Sequence, residues 1–84
     1  MTENEYDVLD ELYFVTHYDD LERALPFDKT ELKQVLKSLW KKGWLRCYDG
    51  IDMELESSEA DMENQFDKYH YLASKEGLMA HNTR

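Results

Sequence analysis

Four lysines recur at four-residue steps in one short stretch, a spacing that places them along one side of a helix. This lysine stripe consists of Lys29, Lys33, Lys37 and Lys41. Residues 29–46 hold six basic residues and one acid, whereas the chain of 84 residues has a net charge of −9. Cations on one face displace counterions from a polyanion, which is the chemistry that nucleic-acid binding requires. The stripe predicts an acid-seeking surface on a protein whose overall charge opposes indiscriminate phosphate binding.

Negative charge is concentrated in residues 49–67, here called the acidic run, which contain eight acids and no basic residue. The acids are Asp49, Asp52, Glu54, Glu56, Glu59, Asp61, Glu63 and Asp67. A carboxylate beside a phosphate is repelled by about 1 kcal/mol at ~4 Å in water. The run fits three roles: a solvated loop, a surface for a basic protein partner, or a lid that competes for the lysine stripe.

The remaining reactive residue types form no site that the sequence can identify. His17, His70, His81 and Cys47 lack the spacing of metal ligands, and no nucleophile motif or glycine-rich phosphate loop is present. We therefore expect no metal, no cofactor and no enzymatic activity. A lone cysteine, with no secretory signal and no long apolar stretch, predicts a cytoplasmic protein without a membrane span.

Three helices are predicted to position the charged groups, over residues 3–15, 19–25 and 29–42. Thr2, Asp19 and Asp28 each precede a glutamate by three residues, the spacing of a capping box at a helix start. Gly43 is expected to end the third helix, since glycine adopts the left-handed conformation at little cost. The buried face of that helix recurs at three- and four-residue steps through Leu32, Val35, Leu36, Leu39 and Trp40.

Three strands follow in the prediction, over residues 44–48, 51–55 and 66–73. Asp49-Gly50 is a strong hairpin signal. A two-residue turn there sets Cys47 opposite Asp52, which places an apolar residue against an acid. Pairing of 44–48 with 68–73 removes that conflict but leaves a long insertion, and the sequence leaves both registers open.

The C-terminal part is predicted to hold one more helical turn and an interface candidate. Ser74 can cap residues 75–79, which Gly77 weakens, and residues 80–84 are expected to be frayed. Tyr69 and Tyr71 alternate with His70 and Leu72, so one of these pairs faces outward. If the tyrosines do, they provide a protein-contact strip.

Two motifs in which apolar residues are spaced around glycines carry a family resemblance. They are Glu31-Leu32-x-x-x-Leu36-x-x-Leu39-x-x-x-Gly43-Trp44-Leu45 and Tyr71-Leu72-Ala73-Ser74-Lys75-Glu76-Gly77-Leu78. With the order of elements, they resemble the winged helix-turn-helix family of bacterial regulators. The resemblance implies an α+β fold, with three helices followed by a small antiparallel hairpin or three-stranded sheet, as one domain over residues 1–84. It also implies that the third helix lies in the DNA major groove while the wing touches the backbone.

Two functions follow as expectations. The first is a transcriptional regulator or accessory factor that binds double-stranded DNA. The resemblance implies that the groove is contacted by Lys29, Thr30, Lys33, Gln34 and Lys37. It also implies that the phosphates are contacted by Lys41, Lys42 and Arg46. The acidic wing departs from the family, whose wings offer Arg or Lys. The alternative is therefore an adaptor that binds a basic protein and no DNA, through Glu54, Glu56, Glu59, Asp61, Tyr69 and Tyr71. The sequence has no long terminal helix to indicate a homodimer, and it names no effector.

Overall fold

The computed structural model describes residues 1–83, which form four α-helices and a four-stranded antiparallel sheet, an α+β architecture. In chain order the elements are α1 (Glu3–Asp10), β1 (Thr16–His17), α2 (Tyr18–Ala24), α3 (Lys29–Lys41), β2 (Leu45–Asp49), β3 (Met53–Leu55), β4 (His70–Ala73) and α4 (Lys75–Asn82). A 3₁₀ turn over Phe66–Lys68 precedes β4. The sheet order is β1-β4-β2-β3. One more helix and one more strand are present than the sequence predicts.

Three of the helix starts follow the sequence signals. Thr2 forms the predicted capping box, and the side chains of Asp28 and Ser74 each accept a backbone N–H in the first turn of α3 and α4. The start of α2 differs from the prediction. His17, not Asp19, is the cap, because the His17 Nδ1 accepts the N–H of Asp19 at 3.0 Å.

The first helix is shorter than the predicted 3–15, because the chain beyond Asp10 forms hydrogen bonds with the sheet instead of continuing the helix. The Leu12 carbonyl accepts the N–H of Ala73 at 2.9 Å, and Leu12 stays fully buried outside the helix. Phe14 is 81% exposed. The predicted break at residues 16–18 contains β1, which pairs with β4.

The end of α3 follows the prediction at Gly43, which has φ of +77°. The N–H of Gly43 donates to the Trp40 carbonyl at 3.0 Å and that of Trp44 donates to Leu39 at 3.0 Å. These are the two bonds of a Schellman motif. The inner face of α3 is formed by residues with at most 8% exposure, namely Leu32, Val35, Leu36 and Leu39.

The predicted pairing of 44–48 with 68–73 is confirmed, since β2 pairs with β4 from Leu45–Ala73 to Tyr48–His70, but β2 also pairs with β3 on its other edge. Cys47 lies opposite Leu55 on β3 and opposite Tyr71 on β4. The hairpin turn contains three residues rather than two, and Gly50 within it has φ of +82°. This register puts Cys47 and Leu55 together on the core side, which removes the conflict between apolar and acidic residues.

The insertion between β3 and β4 is a loop over residues 57–65, but it is partly buried, and the strand after it is shorter than the predicted 66–73. Met62 and Phe66 are each 7% exposed and belong to the core. Residues 66–68 form a 3₁₀ turn, so the last strand begins at His70 rather than 66. The Tyr71 hydroxyl donates to the Phe66 carbonyl at 2.7 Å and fixes the turn against the sheet.

The last helix is longer than the predicted turn and packs on α1. The buried His81 ring stacks on Tyr6 at 4.2 Å between centroids, and its Nδ1 lies 2.7 Å from the Tyr13 hydroxyl. Gly77 does more than weaken the helix, because a Cβ there would overlap the Trp44 carbonyl oxygen. The expected fraying of residues 80–84 is wrong for 80–82, which are helical, and Arg84 lies outside the described residues.

Candidate functional site

The lysine stripe lies against the acidic run, and three of its amines already bind carboxylates. Lys29 Nζ lies 2.8 Å from Asp67 Oδ2. Glu63 bridges two lysines, with Lys33 Nζ at 2.7 Å and Lys37 Nζ at 2.8 Å. Three of the cations predicted to face a DNA groove are therefore ion-paired within the chain, by two carboxylates.

Glu63, Asp67 and Lys29 have pKa values shifted in the direction that keeps each group charged at neutral pH. Hydrogen bonds from Lys33 and then Lys37 hold the pKa of Glu63 at about 2, because they stabilise the carboxylate. The pKa of Asp67 is lowered and that of Lys29 is raised by the hydrogen bond between them. Because one partner of each pair is more than half exposed, with Lys29 at 58% and Glu63 at 57%, salt screens the pairs and each contributes little to stability.

A buried aromatic residue, rather than the ion pairs, holds the acidic run in place. Phe66 packs edge-on against the Tyr18 ring at 5.3 Å between centroids. The Nζ atoms of Lys29 and Lys33 lie 5.8 and 5.4 Å from the Phe66 ring centroid, within reach of a cation–π interaction. Phe66 thus positions the carboxylates on both sides of it over the helix.

Lys42 has a structural partner in place of the predicted phosphate. Its Nζ lies 2.7 Å from Oε2 of Glu5, a side chain only 3% exposed, and Ser38 donates to the same oxygen at 2.8 Å. Burial raises the pKa of Glu5, but hydrogen bonds from Lys42, the Thr2 N–H and Ser38 outweigh it and lower that pKa to about 2. This cluster ties the start of α1 to the end of α3.

Arg46 and Glu54, predicted for two different interfaces, bind each other. Arg46 Nη2 donates to Glu54 Oε1 at 2.7 Å and Nε donates to Oε2 at 3.0 Å, a bidentate pair across the hairpin. The pKa of Glu54 is lowered because of the hydrogen bond from Arg46. Neither residue offers an unpaired charge to a partner.

Three predicted DNA-contact residues remain open on the outer side of α3. Thr30, Gln34 and Lys41 are exposed. Lys41 forms no ion pair with any residue in the 1–83 range, unlike the other three lysines of the stripe. In this conformation the face offers two polar side chains and one unpaired cation.

Five carboxylates of the acidic run have no cation partner in the described part of the chain. They are Asp49, Asp52, Glu56, Glu59 and Asp61. Two of them cap local turns, since Glu59 accepts the N–H of Glu56 at 2.8 Å and Asp61 accepts that of Asn64 at 3.0 Å. Three of the predicted protein-contact acids, Glu56, Glu59 and Asp61, thus keep an unpaired charge.

The predicted tyrosine contact strip is wrong. Tyr69 is 7% exposed and Tyr71 has no exposed surface, so both tyrosines point into the core. Tyr69 accepts the N–H of Asp61 through its hydroxyl at 3.0 Å. His70 and Leu72 are the half-buried pair on the other face of β4.

Sequence reasoning named the acidic run as a possible lid but did not identify the acids that bind the lysines. One signal was available, because Glu63 and Asp67 lie four residues apart, the same step as the lysines. Glu5 gave no such signal, since its capping box already accounted for a carboxylate at that position.

The charged side chains that the structure brings together at this site form ion pairs. Within residues 1–83, no three His, Cys, Asp or Glu side chains are grouped so as to hold a metal ion. None of the helices in that range has the length and apolar content to cross a membrane. Comparisons with protein-family models, with curated proteins and with solved structures gave no match for this chain.

Proposed function

We propose that the protein is a winged-helix-type interaction module that binds a basic protein partner and that does not bind DNA in this conformation. The winged-helix assignment is supported by three helices followed by a β2–β4 pairing, with β1 as an additional edge strand. In this assignment β3 and the 3₁₀ turn are an insertion within the wing. A lone Cys47, whose pKa burial raises to about 12, suits the reducing cytoplasm that we propose as its location.

One observation carries the functional proposal: three of the four lysines of the stripe are bound by carboxylates of the same chain. A DNA phosphate approaching Lys33 or Lys37 must displace Glu63, which lies 2.7 and 2.8 Å from them. The phosphate must also approach a chain with net charge −9. The need to displace Glu63 and the negative net charge both oppose DNA binding, because nucleic-acid affinity depends on cations that are free to replace counterions.

The partner surface is the set of unpaired carboxylates on the acidic run. Their charges are not balanced by any ion pair of residues 1–83, so a basic partner can bind them without displacing a cation of this chain. Complementary charge accelerates encounter and selects the partner, although it adds less to affinity. A partner with clustered Lys or Arg is the chemical class that fits.

Capture of a partner from a lysate, followed by amide-shift mapping, tests the proposal. We expect shifts within residues 49–68 and loss of binding in the Glu56→Lys, Asp61→Lys double variant. Glu76→Lys and Glu11→Lys together change the net charge equally at exposed sites outside the run and should retain binding. Shifts confined to residues 28–46, or equal binding by both double variants, would overturn the proposal.

A second candidate function is DNA binding by α3 after the acidic run is displaced. The observation that favours it is the geometry of Glu63 and Asp67, whose carboxylate oxygens lie 2.7–2.8 Å from the Nζ atoms of three lysines. The oxygens of a bound phosphate would occupy similar positions. Thr30 and Gln34 remain exposed between those lysines. In this candidate the wing carboxylates act as an internal competitor of DNA.

The Glu63→Gln, Asp67→Asn double variant tests that candidate. It frees three lysines that join Lys41, so about four phosphates can be neutralised and log affinity should fall with log salt at a slope of about −3 to −4. Asp49→Asn with Asp52→Asn removes the same charge without freeing a lysine and should not acquire DNA binding. If anisotropy at low salt detects no binding by the first variant, DNA binding by α3 is excluded.

A further inference from the structure

A cleft of about 350 Å³ lies between the C-terminal half of α3 and the acidic run. It is lined by Lys37, Trp40, Lys41, Ser57 and Met62. Its size is at the lower end of the range for pockets that bind small molecules. The proposed protein contact does not account for this cleft, because none of the five unpaired carboxylates lines it.

The floor of the cleft is apolar and belongs to the folded core. Trp40 packs against the core cluster while part of its surface remains accessible. Met62 is 7% exposed, and its Sδ lies 3.7 Å from the Tyr71 hydroxyl. An indole beside a thioether favours an aromatic guest, because both contact the faces and edges of aromatic rings.

The rim of the cleft is cationic. Lys37 and Lys41 lie one helical turn apart, so their amines are on the same side of α3. Lys41 has no ion pair among the described residues. The ion-pair partner of Lys37 is the exposed carboxylate of Glu63, which Lys33 also binds. Ser57 adds a hydroxyl donor on the opposite wall.

We propose that this cleft binds a small aromatic anion, with the ring against Trp40 and Met62 and the anionic group between Lys37 and Lys41. The anion gains two charge-assisted contacts at the mouth of a partly desolvated site. An anion in the cleft also competes with Glu63 for Lys37. Ligand binding and the Lys37–Glu63 ion pair are therefore linked, each weakening the other.

The test is a titration of the complete chain with 2-naphthoate, followed by the two tryptophan indole N–H signals in one spectrum. We expect the Trp40 signal to shift and saturate, while the Trp44 signal, whose ring is outside the cleft, moves much less. The uncharged 2-naphthamide should bind roughly tenfold more weakly because it lacks the charge, and acetate should not shift Trp40 because it lacks the ring.

Substitutions at the rim give opposite, signed effects. Lys41→Gln should weaken naphthoate binding by roughly tenfold, whereas Glu63→Gln should strengthen it because Lys37 is released. Lys29→Gln, at the far end of the stripe, is the matched control and should leave binding unchanged. The proposal is overturned if naphthoate and naphthamide bind equally, if the Trp40 signal does not shift selectively, or if Lys41→Gln and Lys29→Gln have the same effect. The comparison of the two naphthyl probes needs no substitution, so a variant that fails to fold does not prevent a decision.

Discussion

Replacing the buried carboxylate of Glu5 by the neutral amide of Gln should destabilise the protein in a pH-dependent way. Glutamine can still serve in a capping box at this position, so the change removes the charge and keeps the shape. The pKa of Glu5 falls from 4.5 to about 2 on folding, and a shift of that size corresponds to about 3 kcal/mol. Because Lys42 is 40% exposed, water weakens the contribution of Lys42 to this stabilisation. We therefore expect a loss of about 2 kcal/mol in the free energy of unfolding at neutral pH.

The sign of the pH dependence follows from the direction of the shift. A carboxyl whose pKa is lower in the folded state stabilises the fold above its unfolded pKa. That contribution is lost as the pH falls from about 4.5 toward 2. The difference in free energy of unfolding between the unaltered chain and Glu5→Gln should therefore shrink toward zero across this range.

Urea unfolding of both chains, at neutral pH and at several acidic pH values, measures that difference. Glu11→Gln provides the matched control, since it makes the same chemical change at an exposed position just beyond α1. It should alter the free energy of unfolding by no more than about 0.5 kcal/mol. A loss in Glu5→Gln that is equal at neutral and acidic pH would refute the ion-pair account, and no loss at all would show that the cluster does not stabilise the fold.

Three further substitutions test the packing that positions the site. Gly77→Ala should destabilise the protein by about 1–3 kcal/mol, because the added methyl overlaps the Trp44 carbonyl and outweighs the better helix propensity of alanine. A raised melting temperature would contradict the close approach. Tyr71→Phe should cost about 1–2 kcal/mol in urea unfolding, because the Phe66 carbonyl loses its donor, and amide exchange in the 3₁₀ turn should quicken. Unchanged exchange there would argue against that bond as the anchor. Asp28→Ala should cost about 1 kcal/mol through loss of the α3 cap, whereas Asp28→Ser should restore most of the stability.

Features governed by neighbouring residues could be predicted from the sequence. Asp28, Ser74 and Gly43 act within a few residues of their own position, so capping chemistry was enough to predict how α3 begins and ends and where α4 begins. The same reasoning misplaced the start of α2, because Asp19 and His17 are both able to cap and only their geometry decides between them.

Features governed by distant residues could not be predicted. The strand β1 has two residues, too few to show a period, and it exists because β4 pairs with it. The hydrogen bond from Lys37 to Glu63 joins residues separated by 26 positions. Four-residue spacing identified the lysines as one face, but nothing in that spacing shows whether a phosphate or a carboxylate neutralises them. The burial of Tyr69 likewise depends on which face of β4 meets the helices.

The strand order has a consequence for folding during synthesis. The strand β4 lies between β1 and β2, yet the ribosome makes it after every other strand. Until it emerges, β1 has no partner and the Leu12 carbonyl lacks its donor. The nascent chain can form α3 and the β2–β3 hairpin early, since these contacts are local, but the sheet must wait for long-range pairing. Before Glu63 and Asp67 have been made, the lysine stripe also lacks its carboxylate partners, so a nascent chain presents a cationic helix of which three lysines are ion-paired in the finished protein.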